Sequence, residues 1–312
     1  MLGHPNTLKA VMRKSILLLF FTIICYKISH AQSDTTYDNS FIHFHLYGKG
    51  EPVFVLSGGP GNDCHQEEDV AIKIGEKYMA ILLEQRGTGL SMPQTLDKNS
   101  INLAAYIKDI LFVMDSLKIT KAKFYGHSWG AMLASAFAVQ YPDKVTSLIL
   151  TGTGFLKLDN DYQTTIFKNR MAKLSDEQRK RFNKLSWIST DKMTQEEKKE
   201  LADLRATFNT FDTSNKEWKF AKINRGISNA ITQNLVLQDL QRNGFDLTQK
   251  VKQLAMPITI ITCKEDPLAF LTEEYKKFAP QSEIRWLEHC GHFPMYEKPE
   301  DFYPLLSEAL KR

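Results

Sequence analysis

Lys123-Phe124-Tyr125-Gly126-His127-Ser128-Trp129-Gly130-Ala131-Met132-Leu133-Ala134 is the stretch on which the fold turns. An apolar run at 123–125 ends on a serine framed by glycines, and a helix-forming run over 129–140 begins at once. Passing from strand to helix through Gly-x-Ser-x-Gly forces strained backbone angles on the serine, and small neighbours make room for so sharp a turn. Gly130, Ala134 and Ala138 recur at four-residue spacing, which gives the helix a smooth face that can approach a sheet closely. Ser128 is therefore the candidate nucleophile. The bland alternative is an ordinary serine in a glycine-bounded turn.

Working outward, apolar runs over 41–47, 53–56, 79–83 and 145–150 read as strands. Ile101, Ala104, Ala105, Ile107, Ile110, Leu111, Met114 and Leu117 recur every three or four residues and predict an amphipathic helix ahead of the 123–125 strand. After residue 250 the rhythm resumes: strand 258–262, helix 272–278, strand 283–287 and helix 299–310. Alternation of this kind predicts the α/β class, a mostly parallel central sheet flanked by helices. The segment 155–250 differs, being charged and helical without strand runs. Ser175 with Gln178 and Thr194 with Glu197 fit capping boxes at helix starts there. Residues 155–250 read as a helical cap inserted into a core of 32–154 and 251–312.

Residues 1–31 follow another pattern. Lys9, Arg13 and Lys14 precede an apolar run over 16–26, and Ser29-His30-Ala31 offers small residues at the positions a signal peptidase inspects. The run is short for a membrane span, so cleavage after Ala31 and export to the periplasm or beyond are expected, with no stable membrane partner afterwards. The alternatives are an uncleaved anchor and a lipid-modified Cys25, which lacks the small residue usual before such a cysteine. Cleavage leaves Cys64, Cys263 and Cys290, an odd number in a compartment that permits disulfides. Cys263 and Cys290 fall on neighbouring predicted strands, and a bridge there is one pairing the sequence allows.

A serine hydroxyl needs a base to take its proton. Of eight histidines, His4 and His30 leave with the signal, His43 and His45 lie on the first strand, His65 lies in an early loop, and His127, next to the serine, is expected to point away. His292, in Cys290-Gly291-His292-Phe293-Pro294 between the last strand and the last helix, suits a base better than His289. Asp266 follows strand 258–262 and supplies the orienting carboxylate in the chain order Ser, Asp, His, with Glu265 as the alternative. An oxyanion needs backbone N–H donors; Trp129 offers one and Gly58 or Gly59, in Ser57-Gly58-Gly59-Pro60-Gly61, the other. A phosphate-binding reading of that loop fails, because no Lys-Ser/Thr pair or G-x-G-x-x-G follows. His43 and His45 share a strand face, but no third ligand stands near them in sequence, so no metal site is expected. The net charge of +4, from 40 basic and 36 acidic residues spread along the chain, excludes the clustered basic stripe of a nucleic-acid binder.

Gly58-Gly59-Pro60-Gly61, Gln85-Arg86-Gly87-Thr88-Gly89-Leu90-Ser91, Gly126-His127-Ser128-Trp129-Gly130 and Gly291-His292-Phe293-Pro294 together resemble the proline iminopeptidases and related serine aminopeptidases. The resemblance implies an α/β-hydrolase fold, a helical cap over the site, no cofactor, a triad of Ser128, Asp266 and His292, and release of N-terminal residues from short peptides. The chain departs from that pattern at Ser57, where the family usually has His, and at Glu84, where it usually has Asp. No cap acid, Glu217 and Asp212 included, matches the carboxylates that bind the substrate amine in the family. Two other functions use the same fold: hydrolysis of an ester, lactone or other small acyl compound, and non-catalytic ligand binding. Nothing in the pattern specifies an oligomeric state.

Overall fold

The computed structural model describes residues 39–189, 192–213, 216–226 and 228–312. The apolar runs become seven strands, β1 (Phe44–Tyr47), β2 (Pro52–Leu56), β3 (Met79–Leu83), β4 (Ala122–His127), β5 (Val145–Thr151), β6 (Ile258–Cys263) and β7 (Glu283–Leu287). They form one sheet in the order β1-β3-β2-β4-β5-β6-β7, with β1 antiparallel to β3 and every other pair parallel. β4 and β6 are buried at every position, which explains their lack of polar alternation: parallel strands covered on both faces have no wet side.

Helices cover the sheet. On one face α2 (Leu103–Ser116) and α3 (Trp129–Gln140) pack Ile107, Ile110 and Phe137 against Phe54, Phe124 and Leu148. On the other, α1 (Glu68–Gly75) and a late helix over 299–309 pack Val70, Ile74, Phe302 and Leu306 against Val53, Val55, Tyr125 and Ile149. The alternation of Phe124 to one face and Tyr125 to the other is the period-2 geometry of a strand. Phe54 lies opposite Phe124 in the β2–β4 register, and their rings stack with centroids 5.0 Å apart.

Between β5 and β6 the chain forms α4 (Asn160–Ala172), α5 (Asp176–Ser186), α6 (Gln195–Asn209), α7 (Lys216–Ile223) and α8 (Ala230–Arg242). Both anticipated capping boxes form, Ser175 with Gln178 and Thr194 with Glu197. Leu174, Leu185, Leu201, Leu204 and Phe208 give these helices a small core of their own. The remaining helices are α9 (Ala269–Phe278), α10 (Pro294–Glu297) and α11 (Pro299–Ala309).

Three elements differ from the expectation. The first strand is shorter than 41–47 and forms the antiparallel edge. The helix expected over 272–278 begins at Ala269, directly after a turn in which the Leu268 N–H donates to Asp266 Oδ1. Helix α1 is not among the expected elements; it is short, and Val70, Ala71 and Ile74 make up its buried face. The expected signal segment lies outside the described residues. Among the described residues no helix is long and apolar enough to cross a membrane.

The topology already selects a location. β3 lies to one side of β2 while β4, β5, β6 and β7 follow on the other, so the chain changes direction between β2 and β4. In open α/β sheets the crevice outside the carboxyl ends of strands at such a point is where ligands bind.

Candidate active site

The β2–β4 register pairs Leu56 with Gly126, and this brings the loop after β2 beside the turn after β4. Ser128 sits in that turn at φ 54 and ψ −114, in the left-handed region that a side chain rarely occupies. Its N–H donates to Thr151 O at 2.9 Å, tying the turn to the end of β5. The flanking glycines are there for contact: a Cβ on Gly126 would stand 2.4 Å from Gly130 O, and one on Gly130 would stand 2.1 Å from Leu56 O. Helix α3 starts immediately after the serine, so the partial positive charge of its N-terminus faces the same crevice.

His292 reaches the site from the loop between β7 and α10. It is buried, and its Nδ1 lies 2.8 Å from Asp266 Oδ2 in a hydrogen bond. Asp266 accepts, so Nδ1 carries the proton and Nε2 keeps its lone pair. A Cβ on Gly152, one residue beyond the Thr151 carbonyl that holds Ser128, would stand 2.8 Å from His292 Cε1. The base therefore lies at the same strand end as the nucleophile. Burial, outweighing the attraction of Asp266, holds the His292 pKa below its ordinary value, with the positive charges of His127 and Arg170 acting the same way. Burial by itself would raise Asp266, but His292 and the Leu268 N–H outweigh it and keep the carboxylate below its usual range. The alternatives stand apart. His289 is exposed, and Glu265 accepts the Cys290 N–H at 3.3 Å.

The loop bearing His292 is fastened from several sides. Cys263 and Cys290 form a disulfide between the end of β6 and this loop. The His292 N–H donates to Asn209 O at 2.6 Å, at the end of α6. Glu297 accepts from the Gly291 N–H at 2.9 Å and, through its other oxygen, from the Phe211 N–H at 2.7 Å. Burial raises the Glu297 pKa against these bonds.

His127 does not simply turn away from the site. Its ring is buried with its centroid 4.8 Å from that of His292, and its Nε2 donates to His292 O at 3.0 Å. Its Nδ1 stands 2.8 Å from Glu67 Oε1 without the alignment of a full hydrogen bond. A nitrogen lone pair that close to a carboxylate oxygen would be repelled, so the contact favours a proton between Nδ1 and Glu67. Burial alone would lower the His127 pKa; Glu67 overcomes it and raises the group. Tyr125 donates to the second Glu67 oxygen at 3.2 Å. The buried Glu67–His127 pair is invisible in sequence, because the two residues lie on separate elements far apart in the chain.

Opposite the serine lies the glycine loop. A Cβ on Gly58 would touch Ser128 Cβ at 3.4 Å, so the backbone of this loop abuts the nucleophile. Gln85 fixes both donors' supports: its Nε2 donates to Ser57 O at 2.9 Å, while its Oε1 accepts from the Trp129 indole at 2.7 Å. Helix α8 clamps the loop from outside, with the Asn229 N–H donating to Gly61 O at 2.7 Å and Asn229 Nδ2 to Gly87 O at 2.9 Å. Asn229 also caps α8, a role its residue type could have signalled. Of the two candidate cap acids, Glu217 is exposed, and Asp212 pairs with Lys219 at 3.2 Å. A surface depression of about 430 Å³ lined by Leu158, Asn160, Leu240 and Gly244 contains none of these residues.

A strained serine at a helix start, a buried imidazole with a free Nε2, a carboxylate behind it and backbone donors opposite are the parts of nucleophilic acyl transfer. Comparison with known proteins agrees on the frame. Across 290 residues, 87% of this chain and 94% of the other, the chain is 26% identical to the proline iminopeptidase of Heyndrickxia coagulans. It is 36% identical over 108 residues to the proline iminopeptidase of Xylella fastidiosa (strain Temecula1), covering 35% of this chain and 34% of that one. A thermophilic esterase from Thermogutta terrifontis superposes with a TM-score of 0.63 at 20% identity, over 86% of this chain and 93% of the esterase. The family model described as alpha/beta hydrolase fold matches residues 51–299, and the chain belongs to that hydrolase family.

Proposed function

We propose that this hydrolase is an exported serine aminopeptidase of the proline iminopeptidase type. The observation that carries the reading is the 2.8 Å bond from His292 Nδ1 to Asp266 beside the strained turn of Ser128, since it leaves Nε2 as the proton acceptor. Ser128 Oγ attacks the carbonyl of the N-terminal residue while His292 Nε2 takes its proton. The Trp129 N–H and the Gly58 or Gly59 N–H hold the oxyanion. His292 then returns the proton to the leaving amine, and water, deprotonated by His292, releases the acyl group from Ser128. Peptidase rather than general esterase is supported by the relative of the same name that aligns over nearly its whole length. Export is supported by the Cys263–Cys290 disulfide, a bond that persists in oxidising compartments. The helices α4–α8 act in this scheme as the cap that admits a small molecule or short peptide.

A second reading keeps the machinery and changes the substrate to a small ester or lactone. It is favoured by the charge near the triad: Lys173 Nζ donates to Glu265 O at 2.7 Å, and Arg170 acts electrostatically on both Asp266 and His292. Cations at that place suit an acidic or neutral acyl compound better than a free amine. Aminoacyl arylamides, with proline and alanine first, assayed against aryl esters separate the two. Arylamide turnover that disappears in Ser128→Ala supports the peptidase; ester turnover alone supports the second reading. Unchanged hydrolysis in Ser128→Ala overturns both.

A further inference from the structure

The sequence places His43 and His45 side by side and offers them no third partner. The fold leaves His43 exposed and gives His45 other company. His45 points toward the turn after the glycine loop, where Cys64 and His65 lie. One ligand atom from each of His45, Cys64 and His65 falls within 4.8 Å of the others. Cys64 Sγ is 3.9 Å from His65 Nδ1, and the two imidazole centroids are 5.4 Å apart. Two carboxylates border the group. Glu84 Oε1 is 2.7 Å from His45 Nε2, and Asp63 Oδ1 is bonded to His65 Nδ1. Both carboxylates are largely buried, while the two histidine side chains are 38% and 37% exposed.

We propose that His45, Cys64 and His65, with Asp63 or Glu84 as the fourth donor, form a zinc site outside the hydrolytic centre. The chemistry of the donors selects the metal: a thiolate and two imidazoles suit a tetrahedral, borderline-soft divalent ion, and hard cations such as calcium and magnesium prefer all-oxygen sites. Charge closes as well. The Cys64 thiol gives up its proton to solvent as the metal–sulfur bond forms, and Zn²⁺ with one thiolate and one carboxylate sums to zero. Size requires modest movement. Zinc bonds of about 2.0–2.3 Å place donor atoms roughly 3.3–3.8 Å apart, so the histidine and cysteine donors must close by about an ångström while the ligating carboxylate opens from its hydrogen bond to the neighbouring imidazole. The partly exposed imidazoles supply both that movement and an entry path. Bound metal would clip the edge strand β1 to the turn below residues 57–61. This site is independent of the aminopeptidase reading.

Cobalt titration of the full-length chain, stripped with chelator and with its disulfide intact, tests it. One Co²⁺ per chain is expected, with a sulfur-to-cobalt charge-transfer band that Zn²⁺ abolishes. Cys64→Ser should remove the band. His45→Ala and His65→Ala should each weaken binding by more than about tenfold, and His43→Ala should leave it unchanged. Absence of binding, survival of the band in Cys64→Ser, or equal weakening by His43→Ala overturns the site. Should Cys64→Ser fail to fold by circular dichroism, the histidine variants decide: undiminished affinity in both overturns the proposal, and weakening in both, with folding intact, sustains it.

Discussion

Gly152 shows how little room the imidazole has. Its φ is +50, and an added Cβ would stand 2.8 Å from His292 Cε1 and 3.0 Å from Nδ1. Gly152→Ala is therefore expected to displace the ring from its place beside Asp266 while leaving the buried sheet intact. A displacement of an ångström costs about a hundredfold in rate, so kcat should fall by that order with an unchanged circular dichroism spectrum. A second prediction follows from the charged ring behind the base. In Glu67→Gln the carboxylate that raises the His127 pKa is lost, so His127, whose ring centroid lies 4.8 Å from that of His292, carries less positive charge. That charge disfavours protonation of His292, so its removal raises the His292 pKa. The sign is then fixed: the acid limb of kcat/KM, where His292 gains its proton, should move to higher pH. A profile that stays in place, in a variant that still folds, would show that His127 has no electrostatic hold on the base.

At the scale of elements, the loop carrying His292 is held by a bridge spanning 27 positions. Closing a loop of that size removes chain entropy worth about 3.5 kcal/mol from the unfolded state. The double variant Cys263→Ser with Cys290→Ser should lose stability of that order in urea unfolding and lose activity before global unfolding, because the base is on the released loop. Elements of this kind differ in how openly the sequence declares them. The strand 79–83 and the helix 129–140 can be read directly, since a continuous apolar run and a four-residue repeat of small side chains are local signals. The Ser175 and Thr194 caps are equally local. Ser128, Asp266 and His292 are legible because each occupies a turn next to a readable strand. The Glu67–His127 pair, the Asn209 carbonyl on His292 and the grouping of His45 with Cys64 are not legible, since each depends on segments that only tertiary packing brings together. Helix α1 is hidden for a different reason. It is only eight residues long, and its start, Glu68-Asp69, carries charges that pair with Arg225 and Lys222, so its apolar face of Val70, Ala71 and Ile74 is a brief signal.

For the molecule as a whole, the segment Gln85-Arg86-Gly87 works as a keystone beneath the site. Arg86 is buried and bonds Asp109 through two nitrogens, with Ser100 O as a further acceptor at 2.7 Å. Removing one member of a buried pair leaves the other charge without compensation and costs about 3–5 kcal/mol. Arg86→Met should be destabilised by that amount in denaturant unfolding, and adding Asp109→Leu should recover a large part of it. Failure of the second change to recover stability would mean that Arg86 acts mainly through Ser100 and its other contacts.

The strand order carries one more consequence, in the time domain of synthesis. β2, β4 and β5 lie adjacent at the centre of the sheet, and all three are complete once Thr151 has been made. The strained serine and its glycine loop can thus be assembled early, yet the carboxylate waits for Asp266 and the proton acceptor for His292. A growing chain would present its nucleophile long before that nucleophile could react. Hydrolysis would begin only when the late strands β6 and β7 add themselves to the open side of the sheet, so a chain that has folded only as far as β5 holds a nucleophile without its base.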